Sequence, residues 1–248
     1  MDEIRLLYSR LDDIIEESEY SECSYLGFLN EIECSKSNDY LKNKHIPFNF
    51  YGGYDTASRV FLAVSGDGCT CFDISAFPLS CIYIKASGNP NLTHRDYLGS
   101  LMGLGIKREC VGDIIRVDDS SAVVFIRDEI KDYIINQLDK VGRYSITVTD
   151  YQGSTDKLVI NTEELSVIVT SMRIDNVVSS CANISRALST ELIEQDKVFI
   201  NYSAPSKVSQ NVNFDDTVSI RGYGKYKIIE QIKTTKKDRL VLKVLHYI

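Results

Sequence analysis

Apolar residues recur at helical spacing through the first 45 positions, at Ile4, Leu7, Leu11, Ile14 and Ile15 and again at Tyr25, Leu26, Leu29 and Ile32, with polar Ser and Glu between the groups. That periodicity predicts two helices. A turn-rich connection over 49–54 leads into 59–64, whose β-branched and aromatic density predicts a buried strand. From Cys81 the pattern alternates between periods of two and of 3.6. It predicts a strand at 81–86, a helix at 94–103, strands at 113–118 and 121–126, a helix at 128–140 and a strand at 143–149. This βαββαβ series is that of a ferredoxin-like, RNA-recognition-like sandwich, with helices on one face of an antiparallel sheet. Thr93 followed by Asp96 reads as a capping box, and Asp118-Asp119-Ser120-Ser121 has turn chemistry between two strands.

The polar stretch 152–156 interrupts the pattern, so a domain boundary or hinge is expected within 152–170. Two short helices follow, at 173–183 and 186–195, and then β-rich segments at 198–201, 217–221, 226–232 and 240–247. The fold class is therefore α+β in three parts: an N-terminal helical segment (1–48), a central ferredoxin-like domain (49–155) and a small C-terminal α/β domain (166–248).

Charge sharpens this division. The chain of 248 residues carries a net charge of -7, but residues 166–248 hold 12 Lys and Arg against 8 Asp and Glu, while residues 1–165 hold 16 against 27. An acidic body joined to a basic end is the asymmetry expected when one part of a chain meets a polyanion. No apolar run approaches the roughly 18 residues needed to span a bilayer, so no membrane insertion is expected. The acidic start Met1-Asp2-Glu3 lacks a secretory signal, which makes the cytoplasm the expected location.

The seven cysteines are scattered and read as reduced thiols, with Cys69 and Cys71 on alternate faces of a strand. None of His45, His94 and His246 stands at metal-ligand spacing from a cysteine pair, so neither a metal nor another cofactor is expected.

Catalytic motifs fail on inspection. His94-Arg95-Asp96 copies the start of a kinase catalytic loop, but the required asparagine is Leu101 and no glycine-rich loop accompanies it. Gly99, Gly103 and Gly105 match no phosphate-loop spacing, and Lys107-Arg108 behind them reads as a solvated helix end more readily than as a phosphate contact. Adjacent acids such as Glu163-Glu164 read as surface charges, and no enzyme is expected. The predicted central strands carry Phe125 as their lone aromatic, so they lack the stacking platform with which RNA-recognition domains hold single strands.

The C-terminal helices carry the binding chemistry. Arg173 opens the first and Arg186 the second, behind the cap residue Ser185. A cation is unfavourable at a helix N-terminus unless an anion joins it, so one phosphate could collect backbone N–H groups, the dipole and a guanidinium.

Arg173-Ile174-Asp175, Ser185-Arg186, Leu192-Ile193 and Val198-Phe199-Ile200-Asn201 resemble the RNA-binding domain named after ribosomal small-subunit protein S-four. Asp196 stands where that domain has a glycine, and Ala187-Leu188 where a basic residue is common. The segment from Leu92 through Arg108 to Gly112-Asp113, and Arg221-Gly222-Tyr223-Gly224-Lys225, look like hallmarks of YlmH-like proteins. That resemblance implies an N-terminal helical part, an RNA-recognition-like centre and an S-four-type end. It also implies association with ribosomal RNA and tRNA on the large ribosomal subunit during rescue of stalled nascent chains, and a link to cell division. By position it makes Arg173, Ser185, Arg186, Lys197, Asn201, Lys207, Arg221 and Lys225 the candidate RNA contacts, with Ser185 and Asn201 open to a structural role as cap and turn residues. Two other functions stay open: an RNA-modifying enzyme, and a cell-division adaptor acting through contacts with division proteins.

Overall fold

The structure, a computed structural model, describes residues 2–66, 68, 70, 72–153 and 162–247. Cys69, Cys71 and most of the polar stretch 152–156 lie outside the described residues. The chain is α+β and separates into two compact units, Met1–Leu158 and Val159–Ile248.

The first unit begins with α1 (Asp2–Ser18), β1 (Ser24–Leu29), α2 (Glu31–Asn43), β2 (Phe48–Tyr51) and β3 (Val60–Val64). The three strands form an antiparallel sheet in the order β1-β3-β2. Here the structure corrects the expectation of a second helix through Tyr25, Leu26 and Leu29, which lie in β1. Five of the six β1 residues are buried, so the strand shows no polar alternation and its apolar spacing mimics a helix. The helix starts only at Glu31, where Asn30 Oδ1 accepts from the N–H groups of Ile32 and Glu33, and Glu33 returns a carboxylate to the Asn30 N–H. The expected start of the central domain at 49 falls inside β2, which pairs with the buried strand β3.

Next come β4 (Leu79–Ala86), α3 (His94–Gly103), β5 (Val111–Arg116), β6 (Ser121–Arg127), α4 (Lys131–Gln137), β7 (Lys140–Val141) and β8 (Tyr144–Asp150). Their sheet is antiparallel in the order β5-β6-β4-β8-β7, so the strands joined through α3 are separated by β6. The predicted helix to residue 140 is shorter, a 3-10 turn over Asp128–Ile130 followed by α4, because 140–141 pair back onto β8. Thr93 donates from both its N–H and its hydroxyl to Asp96, which fixes the start of α3. Ile82, Ile84, Val124 and Ile126 on one sheet face pack with Tyr97, Leu101 and Ile134 into a single core.

The other face of that sheet is also buried. Phe125 and Val123 are fully covered, and the Tyr54 ring lies 5.2 Å from that of Phe125. Two glycines permit this approach. A Cβ on Gly53 would come within 2.3 Å of Phe125, and one on Gly112 within 2.5 Å of Phe28. Arg59 closes the junction by donating to the carbonyls of Phe28 (2.6 Å) and Val111 (3.1 Å). Arg108 also turns inward, to the carbonyls of Val111 and Gly112, rather than lying in solvent at a helix end. Burial, and then the charge of Arg59, push the Arg108 guanidinium down to about 10.

The second unit contains β9 (Thr162–Val169), α5 (Ile174–Cys181), α6 (Arg186–Glu194), β10 (Val198–Ile200), β11 (Thr217–Ile220), β12 (Gly224–Thr234) and β13 (Leu240–Tyr247). Its antiparallel sheet has the order β10-β11-β12-β13-β9. β9 (Thr162–Val169) occupies the later part of the stretch 152–170 in which a hinge was expected. Leu165, Val167 and Val169 point to the core while Glu164, Ser166 and Ile168 point away, an alternation partly hidden by the acidic start of the strand. Glu163 and Glu164 are exposed as expected, and Glu164 meets Lys243 across the sheet at 3.0 Å. The two helices cover one face of this sheet through Val177, Val178, Leu192 and Ile193.

Gly53 combines a φ of +98° with the Phe125 contact, so Gly53→Ala adds both backbone strain and a clash. The expected cost is about 3 kcal/mol, read as a lower urea midpoint with unchanged slope. An unchanged midpoint would show that the Phe125 face is not tightly closed.

Candidate nucleic-acid interface

The second unit places Arg173 as the cap residue of α5 and Arg186 as the first residue of α6. Both guanidinium groups converge on one carboxylate, that of Asp175. Arg173 Nε and Nη2 donate to its two oxygens at 3.1 Å each, and Arg186 Nε and Nη2 donate to Oδ2 at 3.0 and 2.9 Å. The Asp175 side chain is only 3% exposed, against 41% for Arg173 and 53% for Arg186. The anion that the two helix starts were expected to draw is therefore supplied from inside the chain.

Each guanidinium keeps most of its five N–H donors beyond those bonds, and the three groups together retain one positive charge. The buried acid thus acts as a clamp that sets two half-exposed cations side by side. Asp175 also lies in the first turn of α5, where a negative charge suits the helix dipole. Ser189 adds a bond from its buried hydroxyl to the Asp175 carbonyl at 2.7 Å, locking the two helices at the same point. Burial by itself would raise the Asp175 pKa, but the hydrogen bonds from Arg173 and Arg186 outweigh it and hold the carboxyl below the ordinary 3.8.

The other predicted contacts divide into three sets. Lys207 is exposed in a loop tied to the start of α5, where Gln210 accepts from the Ile174 N–H and Met172 accepts from the Val212 N–H, both at 2.8 Å. Asn211 pairs with Arg173 in this way, and Lys207 begins the turn that leads into it, its carbonyl accepting from the Gln210 N–H at 3.0 Å. Lys197 and Arg221 are neighbours across the β10–β11 pair, joined by an Arg221 N–H to Lys197 carbonyl bond of 2.9 Å. Lys225 follows on β12, opposite Ser219, with its ammonium 5.6 Å from the centre of the Tyr202 ring. The last set is structural in its contacts. Ser185 Oγ accepts from the Leu188 N–H, and the Asn201 amide bonds Asp216 and Thr217 while its backbone takes a φ of 46°.

Asp175 was legible only as part of the Arg-x-Asp resemblance, because no local pattern says that an acid beside one arginine will be buried beneath a second. Asp196, standing in place of the family glycine, has a φ of 52°, the left-handed value that explains the glycine.

Comparison with known proteins falls unevenly on these units. The family described as "Putative RNA-binding domain in YlmH" matches residues 75–155, within the first unit. A curated relative, the Bacillus subtilis (strain 168) "Ribosome-associated protein quality control protein P2", is 29% identical over 192 residues, covering 77% of this chain and 74% of that protein. Among solved structures, the "Cell division protein ylmH from Streptococcus pneumoniae" superposes with a TM-score of 0.53 at 21% identity, over 61% of this chain and 92% of its own, a likeness of fold.

Asp175→Asn leaves two adjacent guanidinium groups without their counter-charge and is expected to lower stability by about 1–2 kcal/mol at pH 7, less than for a fully buried pair because both arginines reach solvent. Since the folded carboxyl titrates below 3.8, its stabilisation is complete above that value and is lost as the pH falls through the folded pKa. Denaturation of both forms at pH 7 and pH 3 should show the gap closing in acid. A gap that widens there would contradict the clamp.

Proposed function

We propose that the chain is a YlmH-type protein that binds RNA without catalysing a reaction on it. In this reading residues 79–150 form a ferredoxin-like domain and residues 162–247 an S-four-type RNA-binding domain. The RNA is ribosomal RNA and tRNA on the large ribosomal subunit, and the setting is quality control of stalled nascent chains. The observation that carries the reading is the paired presentation of Arg173 and Arg186 at two adjacent helix starts. Two planar donor groups held about one carboxylate apart suit the phosphate oxygens of an RNA backbone. The RNA-binding family match and the ribosome-associated relative support the class of partner.

In the first unit, the sheet face that stacks bases in RNA-recognition domains is closed over Phe125 and Val123. We therefore assign the phosphate contacts to Arg173, Arg186, Lys197, Lys207, Arg221 and Lys225 in the basic second unit, and give Ser185 and Asn201 the task of shaping the turns that carry them. A division-protein adaptor is the second reading, and the name of the pneumococcal structure is what favours it.

Binding of purified large ribosomal subunits should weaken with salt, the plot of log affinity against log salt falling by roughly 0.7–0.9 per neutralised phosphate. Arg186→Ala is expected to make that slope shallower by about one such step while the fold, monitored by far-UV circular dichroism, is kept. Salt-independent binding, or none, would overturn the proposal, and retention by division proteins after nuclease treatment would favour the adaptor.

A further inference from the structure

Four exposed cations crowd one end of the second unit, outside the contacts assigned so far. β11 stops opposite Lys227, but β12 continues beside β13 for seven more residues to Thr234. At roughly 3.3 Å per residue this carries the β12–β13 hairpin on the order of 20 Å past β11. Register shifts between Ile228 and Glu230 and between Gln231 and Lys233 add twist along the way.

The turn at the tip satisfies itself. Thr235 N–H donates to the Arg239 carbonyl (2.8 Å), Asp238 N–H to the Thr235 carbonyl (3.0 Å) and Arg239 N–H to Thr235 Oγ1 (3.1 Å), with Asp238 at a φ of 58°. None of these bonds uses the side chains of Lys236, Lys237 or Arg239. Those three and Lys233 are exposed, and among the described residues none lies within ion-pair distance of a carboxylate. Residues 233–239 thus hold four cations against one acid in a chain whose net charge is -7.

Lys233 alone would blunt the free edge of β12 against another strand. Lys236, Lys237 and Arg239 sit in the turn, where there is no edge to protect, with Asp238 the one acid among them. We infer that the β12–β13 hairpin tip is a second RNA-contacting element, in which Lys233, Lys236, Lys237 and Arg239 grip the phosphate backbone of the RNA held by the helix starts. The inference rests on the RNA-binding reading above. From 233 to 239 the tip offers cations and hydroxyls without a single aromatic or large apolar residue. That is the chemistry of a backbone contact without base readout, and it lacks the apolar face with which a surface element enters a lipid interface.

The test uses the full chain with all four cations replaced, K233Q/K236Q/K237Q/R239Q, and a milder K236Q/K237Q form as a safeguard against misfolding. Purified large ribosomal subunits serve as one probe and vesicles of phosphatidylglycerol as the other. The expected result is a salt slope shallower by about 2–3 for the quadruple variant and about 1–2 for the double, with affinity at low salt down by at least tenfold for the quadruple variant. If both variants keep the wild-type affinity and slope while Arg186→Ala still weakens binding, the hairpin inference is wrong and the RNA-binding reading stands. If the wild type itself does not bind the subunits, that reading fails first. Hairpin-dependent binding to the vesicles that exceeds binding to the subunits would assign the tip to a lipid surface and overturn the inference.

Discussion

A carboxylate sealed from water has to find positive partners or give up its charge, and Asp175 meets that demand with two guanidinium groups. The second unit is organised around this pairing. The acid lies in the first turn of α5, one arginine caps the same helix, and the other begins α6, so the ion triad fixes the two helices relative to each other as well as their charges. The arginines lose much less of their water, because about half of each remains in solvent. The same bonds that stabilise the fold therefore leave two oriented donor groups at its surface. Burial of the acid and exposure of the cations are parts of one arrangement, and the proposed binding chemistry rests on it.

The first unit answers a similar demand with backbone rather than side-chain acceptors. Arg59 and Arg108 enter a crowded junction and are met by carbonyls of Phe28, Val111 and Gly112. Glycine at 53 and 112 lets the aromatic rings of Phe125 and Phe28 lie directly against the chain. As a result the five-stranded sheet is covered on both faces, by its own helices on one and by the N-terminal elements on the other. A base could reach the second face only by displacing this packing. The acidic composition of residues 1–165 works in the same direction, since phosphate approaching it gains no counter-charge.

The two units thus divide positive potential and bulk between them. The RNA-binding family match lies in the first, while the oriented arginines and the basic hairpin lie in the second. Within the second unit the cations form distinct groups: at the helix starts with the Lys207 loop, along the Lys197–Arg221 edge with Lys225, and at the hairpin tip. Cations grouped in this way have the chemistry of a phosphate-backbone contact rather than of base readout, which is the basis of the role proposed for this unit.

Much of the architecture was legible in residue order because local periodicity and turn chemistry act over a few residues. The six elements from β4 to β8 other than the short β7, the Thr93–Asp96 box and the helices α5 and α6 were all found within a few residues of their expected limits, and the charge division pointed to the second unit. β1 and β9 escaped notice for opposite reasons: β1 is buried on both faces and shows no alternation, whereas the acidic start of β9 conceals its alternation. Three-dimensional packing alone decided the rest. It buried Asp175 beneath both Arg173 and Arg186, turned Arg108 inward and closed the sheet over Phe125. Desolvation depends on what distant segments bring together, and a linear pattern records which residues carry charge but not which of them will lose their water.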